Sequence, residues 1–361
     1  MIFLNQYELK QTNTNNEYFI GMNSGHGFIG TYDDLIDEGK LERVYIIKGA
    51  AGTGKSTLMK LISDRAEELG HIVARYYCSS DHDSLDCIML DDKIAVLDGT
   101  SPHSREMVYP GAVSELVDLT KFWDNEHLIM NRPQIINATE KKRVSFETAY
   151  RLLHIVESLQ TERYNSVSRC IDYAKMNKCI SRLIKSFEKP DVLGKSNTCI
   201  IRSLGMKGRV RLDTFEKSAD TIISVTDSFG SAYVFMTKLA EKLKESGFAF
   251  VTSPDPVSPS LICDVYIPSN STLITVESCQ NAERCINMKR FVNYELLSDL
   301  KGYIRLSVKC ANAILDEAME SLERAAKCHF ELEKIYGEAM NFESMTMYGE
   351  DLLRDILAKL S

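Results

Sequence analysis

Residues 44–62 read Val44-Tyr45-Ile46-Ile47, Lys48, Gly49-Ala50-Ala51-Gly52-Thr53-Gly54-Lys55-Ser56, and Thr57-Leu58-Met59-Lys60-Leu61-Ile62. The first run is β-branched and aromatic, as a buried strand requires, and the last begins an amphipathic helix. Between them lies a complete G-x-x-x-x-G-K-[ST] pattern. Strand, loop and helix in this order separate a phosphate-binding loop from a glycine-rich turn that merely spells the motif. Gly49, Gly52 and Gly54 can take backbone angles closed to other residues, so that successive N–H groups wrap an anion at the start of the helix. In such a loop Lys55 reaches the β- and γ-phosphates and the Ser56 hydroxyl ligates Mg²⁺. The expected contact set is Gly49, Ala50, Ala51, Gly52, Thr53, Gly54, Lys55, Ser56 and Thr57.

A chain of 361 residues exceeds the usual single core, so two domains are expected. Hydrophobic residues make up 44% and charged residues 26%, which is the balance of a globular protein, and no run of eighteen apolar residues offers a membrane span. Met1-Ile2-Phe3-Leu4-Asn5-Gln6 has neither a basic region nor a sustained apolar stretch, and reads as neither signal nor transit peptide. Ten cysteines without a C-x-x-C pair suit reduced thiols and a cytoplasmic location. A net charge of −8 argues against a broad grip on nucleic acid; Lys141-Lys142-Arg143 and the alternating Lys207, Arg209 and Arg211 read as solvated faces.

The strand, loop and helix pattern occurs twice. Thr221-Ile222-Ile223-Ser224-Val225 precedes a turn-rich segment and then a helix from Val234 to Gly247; Met59 and Met236, like Gly70 and Gly247, are 177 residues apart. Ile94-Ala95-Val96-Leu97-Asp98 has a counterpart in Leu273-Ile274-Thr275-Val276-Glu277, and Thr31-Tyr32-Asp33 in Thr214-Phe215-Glu216. Self-similarity at this period reads as two copies of one fold. At the offset of 177, Gly54 becomes Ser231, Lys55 becomes Ala232 and Ser56 becomes Tyr233, so the second copy has lost the phosphate-binding cation and the small hydroxyl. Each copy leads into helix: residues 145–187 carry Ala149, Leu153 and Val156 at helical spacing, and Leu315, Ala318, Leu322, Ala325, His329 and Leu332 form a second stripe. His329 on that stripe, with Glu333 one turn on, reads first as a hydrogen-bonded core histidine. The segment Lys189-Pro190-Asp191-Val192-Leu193-Gly194 divides the halves, giving domains 1–188 and 189–361. The expected fold is α/β, two tandem P-loop-like domains of mainly parallel sheet, each followed by helices.

A nucleotide hydrolase also needs a metal anchor and a group that orients the attacking oxygen. Asp98 ends an apolar strand at the sheet edge where the loop lies, so Ser56 and Asp98 are the expected metal ligands. In Cys78-Ser79-Ser80-Asp81-His82-Asp83-Ser84-Leu85-Asp86, Asp81 and Asp83 are the preferred catalytic carboxylates beside Lys55 and Asp98, although turn composition explains much of that segment. His103 and Arg105 follow Asp98 and are candidates for the same mouth.

Together, Cys78-Ser79-Ser80-Asp81, Asp98-Gly99-Thr100-Ser101-Pro102-His103, Tyr109-Pro110-Gly111-Ala112 and the phosphate loop resemble an uncharacterised bacterial family of tandem P-loop NTPase proteins (ATPases). The resemblance runs over essentially the whole chain, and Ala326-Lys327-Cys328-His329 is similar to that family's C-terminal helix. It implies a pair of P-loop NTPase folds with ATP and Mg²⁺ as cofactors, and supplies no substrate. Family members keep a glycine-rich loop in the second half, whereas this chain has Asp227-Ser228-Phe229-Gly230-Ser231-Ala232-Tyr233, a degenerate second P-loop. No Asn-Lys-x-Asp guanine-reading segment is present, which favours adenine. Mg²⁺-dependent ATP hydrolysis coupled to a conformational switch is the leading expectation; phosphotransfer to a small acceptor and nucleotide binding without turnover remain open.

Overall fold

The computed structural model describes residues 16–100, 105–188, 190, 193–227, 229–277 and 281–360. Ten elements of the first half run β1 (Asn16–Phe19), β2 (Gly21–Ser24), β3 (Gly27–Gly30), α1 (Tyr32–Leu35), β4 (Arg43–Lys48), α2 (Lys55–Glu68), β5 (Val73–Tyr77), β6 (Leu85–Leu90), β7 (Ile94–Asp98) and β8 (Ser114–Asp118). Helices α3 (Asn125–Met130), α4 (Arg132–Ser168) and α5 (Tyr173–Lys185) follow. The second half repeats the order with β9 (Ser196–Thr198), β10 (Arg202–Gly205), β11 (Gly208–Arg211), α6 (Thr214–Lys217), β12 (Thr221–Thr226), α7 (Ser231–Glu245), β13 (Phe250–Pro254), β14 (Ile262–Ile267), β15 (Thr272–Thr275) and β16 (Arg284–Asn287). It closes with α8 (Tyr294–Ser298), α9 (Lys301–Ala339) and α10 (Phe342–Leu360).

The two six-stranded sheets have the same topology, β1-β5-β6-β7-β4-β8 and β9-β13-β14-β15-β12-β16. Both are mixed, with five strands running one way and a single reversed strand: β6 and β14 run antiparallel to both neighbours. The reason is connection length. Only residues 91–93 join β6 to β7, and so short a link allows a hairpin but no parallel crossover. Even the irregularities repeat, since the register of β5 with β6 shifts at Tyr76/Tyr77 and that of β13 with β14 at Ser253/Pro254, 177 residues later. The 145–187 stripe is two helices, broken between Ser168 and Tyr173, and the first begins at Arg132.

Alternation along β4 explains the layering. Val44 and Ile46 face a core shared with Ile201, Phe215, Val251, Tyr266 and Leu273 of the second half, so the two sheets stack face to face. Tyr45 and Ile47 face outward onto Leu58, Met59 and Ile62 of α2. A strand buried on both sides must read as a continuous apolar run, and this one does.

The helices that cover these outer faces are exchanged between the halves. Met176, Ile180, Leu183 and Ile184 of α5 pack into the second-half core with Phe235, Leu239 and Leu243 of α7. Met345, Leu352, Ile356 and Leu360 of α10 pack into the first-half core. The crossings form a pseudo-twofold pair: Asp172 N donates to Phe291 O (2.7 Å) and Asn341 N to Phe122 O (2.8 Å), while Asn293 N donates to Cys170 O (2.7 Å) and Asp124 N to Ala339 O (2.8 Å). Between them α4 and α9 lie antiparallel, Lys142 beside His329 at one end and Leu159 beside Ser307 at the other. Among the described residues all nine cysteines are free, and no helix is long and apolar enough to cross a membrane.

Candidate functional site

The glycine loop joins Lys48 of β4 to Lys55 of α2. Gly52 (φ 75°) and Gly54 (φ 88°) take left-handed backbone angles, and Gly54 is the N-cap of α2, so a side chain at either would strain the turn that feeds the helix. The Ala50 carbonyl accepts from Thr53 Oγ1 (2.9 Å) and Lys55 Nζ (2.6 Å), and Thr100 Oγ1 donates to Gly49 O (3.1 Å). Lys55 is folded back over its own loop. Ser56 Oγ accepts from Leu85 N (2.9 Å), tying the first turn of the helix to β6. Ala51 is half-buried in the loop and Thr57 is exposed on the first turn.

Asp98 stands at the carboxyl end of β7, in parallel register with Ile47 of β4. Its Oδ2 lies 3.5 Å from Lys55 Nζ, with both side chains largely buried, and its Oδ1 accepts from Thr100 N (2.8 Å). Asp86 completes a carboxylate pair. Cys87 is opposite Leu97 in the antiparallel β6–β7 ladder, and one further step sets Asp86 opposite Asp98. On its other side β6 is bulged: Tyr76 pairs with Cys87 and Tyr77 with Leu85, leaving Asp86 as the extra residue. Bulges beside functional sites re-aim a side chain in this way. Burial, and then the negative charge of Asp98, push the Asp86 carboxyl up to about 7, against the pull of the Cys78 thiol and of Lys55. Burial likewise drives the Cys78 thiol well above its ordinary range, with Asp86 adding to the effect. Sequence reasoning preferred Asp81 and Asp83. The signal that singles out Asp86 is a carboxylate inside an apolar strand, between Leu85 and Cys87-Ile88-Met89-Leu90.

Asp81 and Asp83 are held by an ion pair, with Asp81 near enough to add to the charge that raises Asp86. Lys207 of the β10–β11 hairpin pairs with both, 2.6 Å to each, and its hydrogen bond, with its charge adding, holds the Asp83 carboxyl below its usual range. The same hairpin grips this segment through Ser203 Oγ to Ser79 O (2.7 Å) and Met206 N to Ser80 O (2.7 Å). Arg105 does not face the loop: Nη2 donates to Ile36 O (2.7 Å) and Nη1 to Asp33 (3.2 Å), which makes it a strut for α1. His103 lies outside the described residues.

The second half roofs the loop. A Cβ at Gly52 would stand 2.8 Å from the Cα of Glu333 and closer still to its carbonyl oxygen, and one at Gly54 would stand 2.6 Å from Met345 Cε. Glu333 is on α9, one turn after His329, whose Nε2 is 3.4 Å from the Glu333 carboxylate; Lys142 Nζ reaches His329 Nδ1 at 3.0 Å. Burial, and then the nearby Lys55 charge, lower the Lys142 pKa. His329 is thus the hydrogen-bonded, largely buried histidine expected on this stripe, and its two polar partners place it at the roof of the loop. Lys142 comes from a run that reads as a solvated face; only the pairing of α4 with α9 buries it.

In the second half the loop is shorter by two residues, and the local match shifts by one from the offset of 177. Gly230 (φ 86°, ψ 10°) is the left-handed N-cap of α7, as Gly54 (φ 88°, ψ 8°) is of α2, so Ser231 rather than Ala232 follows the cap where Lys55 stands. The Asp227 carboxylate fills this loop, its Oδ1 accepting from the N–H groups of Phe229 (2.9 Å), Gly230 (2.8 Å) and Ser231 (2.8 Å). The chain supplies its own anion there. Cys263 is the bulged residue that corresponds to Asp86, and the strand register places Val276, one residue before the Glu277 suggested by the sequence, opposite it where Asp98 would stand.

A family model described as "Nephrocystin 3, N-terminal" matches residues 30–108, the span that carries the glycine loop, Asp86 and Asp98. No curated protein and no solved structure matches the chain. None of these comparisons names the bacterial tandem family that the sequence motifs resemble.

Proposed function

We propose that the first half binds ATP with Mg²⁺ and hydrolyses its terminal phosphate, and that the nucleotide state changes how the second half packs on the loop. The observation that carries this is the placement of Lys55 against Asp98, at the carboxyl edge of parallel strands and at the mouth of a left-handed glycine loop that opens a helix. An arriving phosphate offers Lys55 a better acceptor than the Ala50 carbonyl. Ser56 and Asp98 would hold the Mg²⁺, which spreads the charge of the phosphates; their hydroxyl and carboxylate are the hard oxygen ligands it prefers. Asp86, with a carboxyl near 7, is suited to accept a proton from an attacking water.

Coupling to the second half is favoured over transfer to a small acceptor by two contacts. Lys207 occupies Asp81 and Asp83, the groups that an acceptor-binding loop would use, and α9 lies directly on Gly52. Loop ordering by a γ-phosphate is an established physical route to a switch. The test is release of phosphate from ATP by purified protein with Mg²⁺ and no acceptor, compared with Lys55→Ala. Turnover lost in the folded variant supports the reading. Tight binding without turnover, ADP release only when an acceptor is added, or equal activity in Lys55→Ala would each overturn it.

A further inference from the structure

A cavity of about 280 Å³ opens in the second half, walled by Arg163 of α4, Arg202, Arg209 and Arg211 of the β10–β11 hairpin, Tyr233 of α7 and Asn312 of α9. We propose that this cavity binds a small phosphate-bearing anion through its arginines and without a metal ion. The proposal does not depend on the activity assigned to the first half.

The repeat relates this cavity to the first-half site and shows what replaced it. Cys263 and Val276 stand where Asp86 and Asp98 stand, so that carboxylate pair is missing; four arginines line the space with two carboxylates, Glu277 and Asp255, the latter taken by Tyr233 OH (2.7 Å) and the N–H groups of Val257 and Ser258. Their fork of N–H donors matches phosphate oxygens. The donors are only partly used. Arg202 is satisfied, binding Asp264 through Nε (2.7 Å) and Nη2 (2.9 Å) and Glu277 through Nη1. Arg211 pairs with Glu216 (2.5 Å) and, through Nη2, more distantly with Asp264 (3.5 Å), while its Nε is shut off from solvent with no hydrogen-bond acceptor among the described residues. Arg163, whose Nε would be 3.0 Å from a Cβ on Gly230, makes no hydrogen bond or ion pair among the described residues, and neither does Arg209. A buried donor left unpaired, as Arg211 Nε is, is costly, and the half-buried Arg163 and exposed Arg209 leave two further guanidinium groups free to meet an anion in the cavity.

Size and local chemistry narrow the ligand. The volume is at the floor of the usual range for ligand pockets, about 300–1,000 Å³, which suits inorganic phosphate, a sugar phosphate or a nucleoside monophosphate better than a triphosphate. The N–H groups of the adjoining loop are already taken by Asp227. Glu277, which bridges Arg202 and Arg211 and is 46% exposed, is the carboxylate such a ligand would displace.

The experiment is calorimetric titration of the full chain in EDTA with inorganic phosphate, ribose 5-phosphate and AMP, in wild type, Lys55→Ala, the double variant Arg163→Ala/Arg209→Ala, and Glu277→Gln. We expect one saturable site per chain that survives Lys55→Ala, weakens at least tenfold in the double arginine variant and tightens in Glu277→Gln. Equal affinity for phosphate and its esters identifies free phosphate as the ligand class; tighter ester binding identifies a phosphorylated metabolite. The two arginines hold no carboxylate, so their removal leaves the ion pairs of the hairpin intact, and an unchanged thermal transition verifies that. The proposal is overturned by no saturable binding of any probe, by binding that Lys55→Ala abolishes, or by unchanged affinity in a folded double variant. Loss of ATP turnover in Lys55→Ala bears on the first half alone.

Discussion

Asp86→Asn separates a carboxylate kept for chemistry from one kept for stability. Folding takes the Asp86 carboxyl from its ordinary 3.8 to about 7. Below pH 3.8 the group is protonated in both folded and unfolded chains and costs nothing. Between 3.8 and 7 the unfolded chain ionises while the folded one does not, so this residue's contribution falls as pH rises. Above 7 the full penalty stands, about 4 kcal/mol at ~1.36 kcal/mol for each factor of ten in the proton equilibrium. Asparagine keeps the shape and an acceptor for the Cys78 thiol but cannot ionise. The variant should therefore gain stability relative to wild type as pH rises, by about 2–3 kcal/mol between pH 5 and pH 8 on the same linkage. Urea unfolding of both proteins at the two pH values measures this. A stability difference that is the same at pH 5 and pH 8 would refute the assignment of a raised, buried carboxyl. A more stable protein that has lost ATP turnover would place Asp86 among the groups whose strain serves function.

Five further outcomes follow from the same geometry. Lys55→Ala should weaken Mg²⁺-ATP-analogue binding on the order of tenfold or more, the worth of one charged contact of about 1.5–3 kcal/mol, with Ser56→Ala milder. Calorimetry with that analogue should give one Mg²⁺-dependent event per chain, because Asp227 occupies the second loop; two comparable events would contradict this. Asp98→Asn should keep nucleotide binding but lose turnover on the order of 10²-fold, and full activity at ordinary Mg²⁺ would move the metal anchor elsewhere. Gly52→Ala should cost about 1–2 kcal/mol from its positive φ alone, and more from collision with Glu333, so its melting temperature should fall; an unchanged melt would mean α9 does not roof the loop. A fragment of residues 1–188 lacks Met345, Leu352, Ile356 and Leu360 of the first-half core, at about 1.5–3 kcal/mol each, and should show no cooperative thermal transition.

Local chemistry was legible without coordinates wherever one residue type answers one local demand. The left-handed angles at Gly52 and Gly54, the strand of Val44 to Ile47 buried on both faces, and the repeat at 177 residues all belong to short segments whose spacing states their conformation. The position of Asp98 at a strand end beside the loop belongs with them. What the sequence could not decide is which partner each face would meet. Periodicity in α5 and α10 marks an apolar stripe but not the sheet that covers it, and tertiary packing sends each helix to the opposite half. That exchange lays α9 over Gly52 and buries Lys142 beside His329. Likewise Asp81 and Asp83 are near-equivalent acids in a loop string, while Asp86 lies within an apolar strand; antiparallel register sets Asp86 against Asp98, and Lys207, more than 120 positions away, claims the other two. Long-range ion pairing and the exchange of helices depend on where distant segments come to rest, and that is fixed only when the two sheets stack.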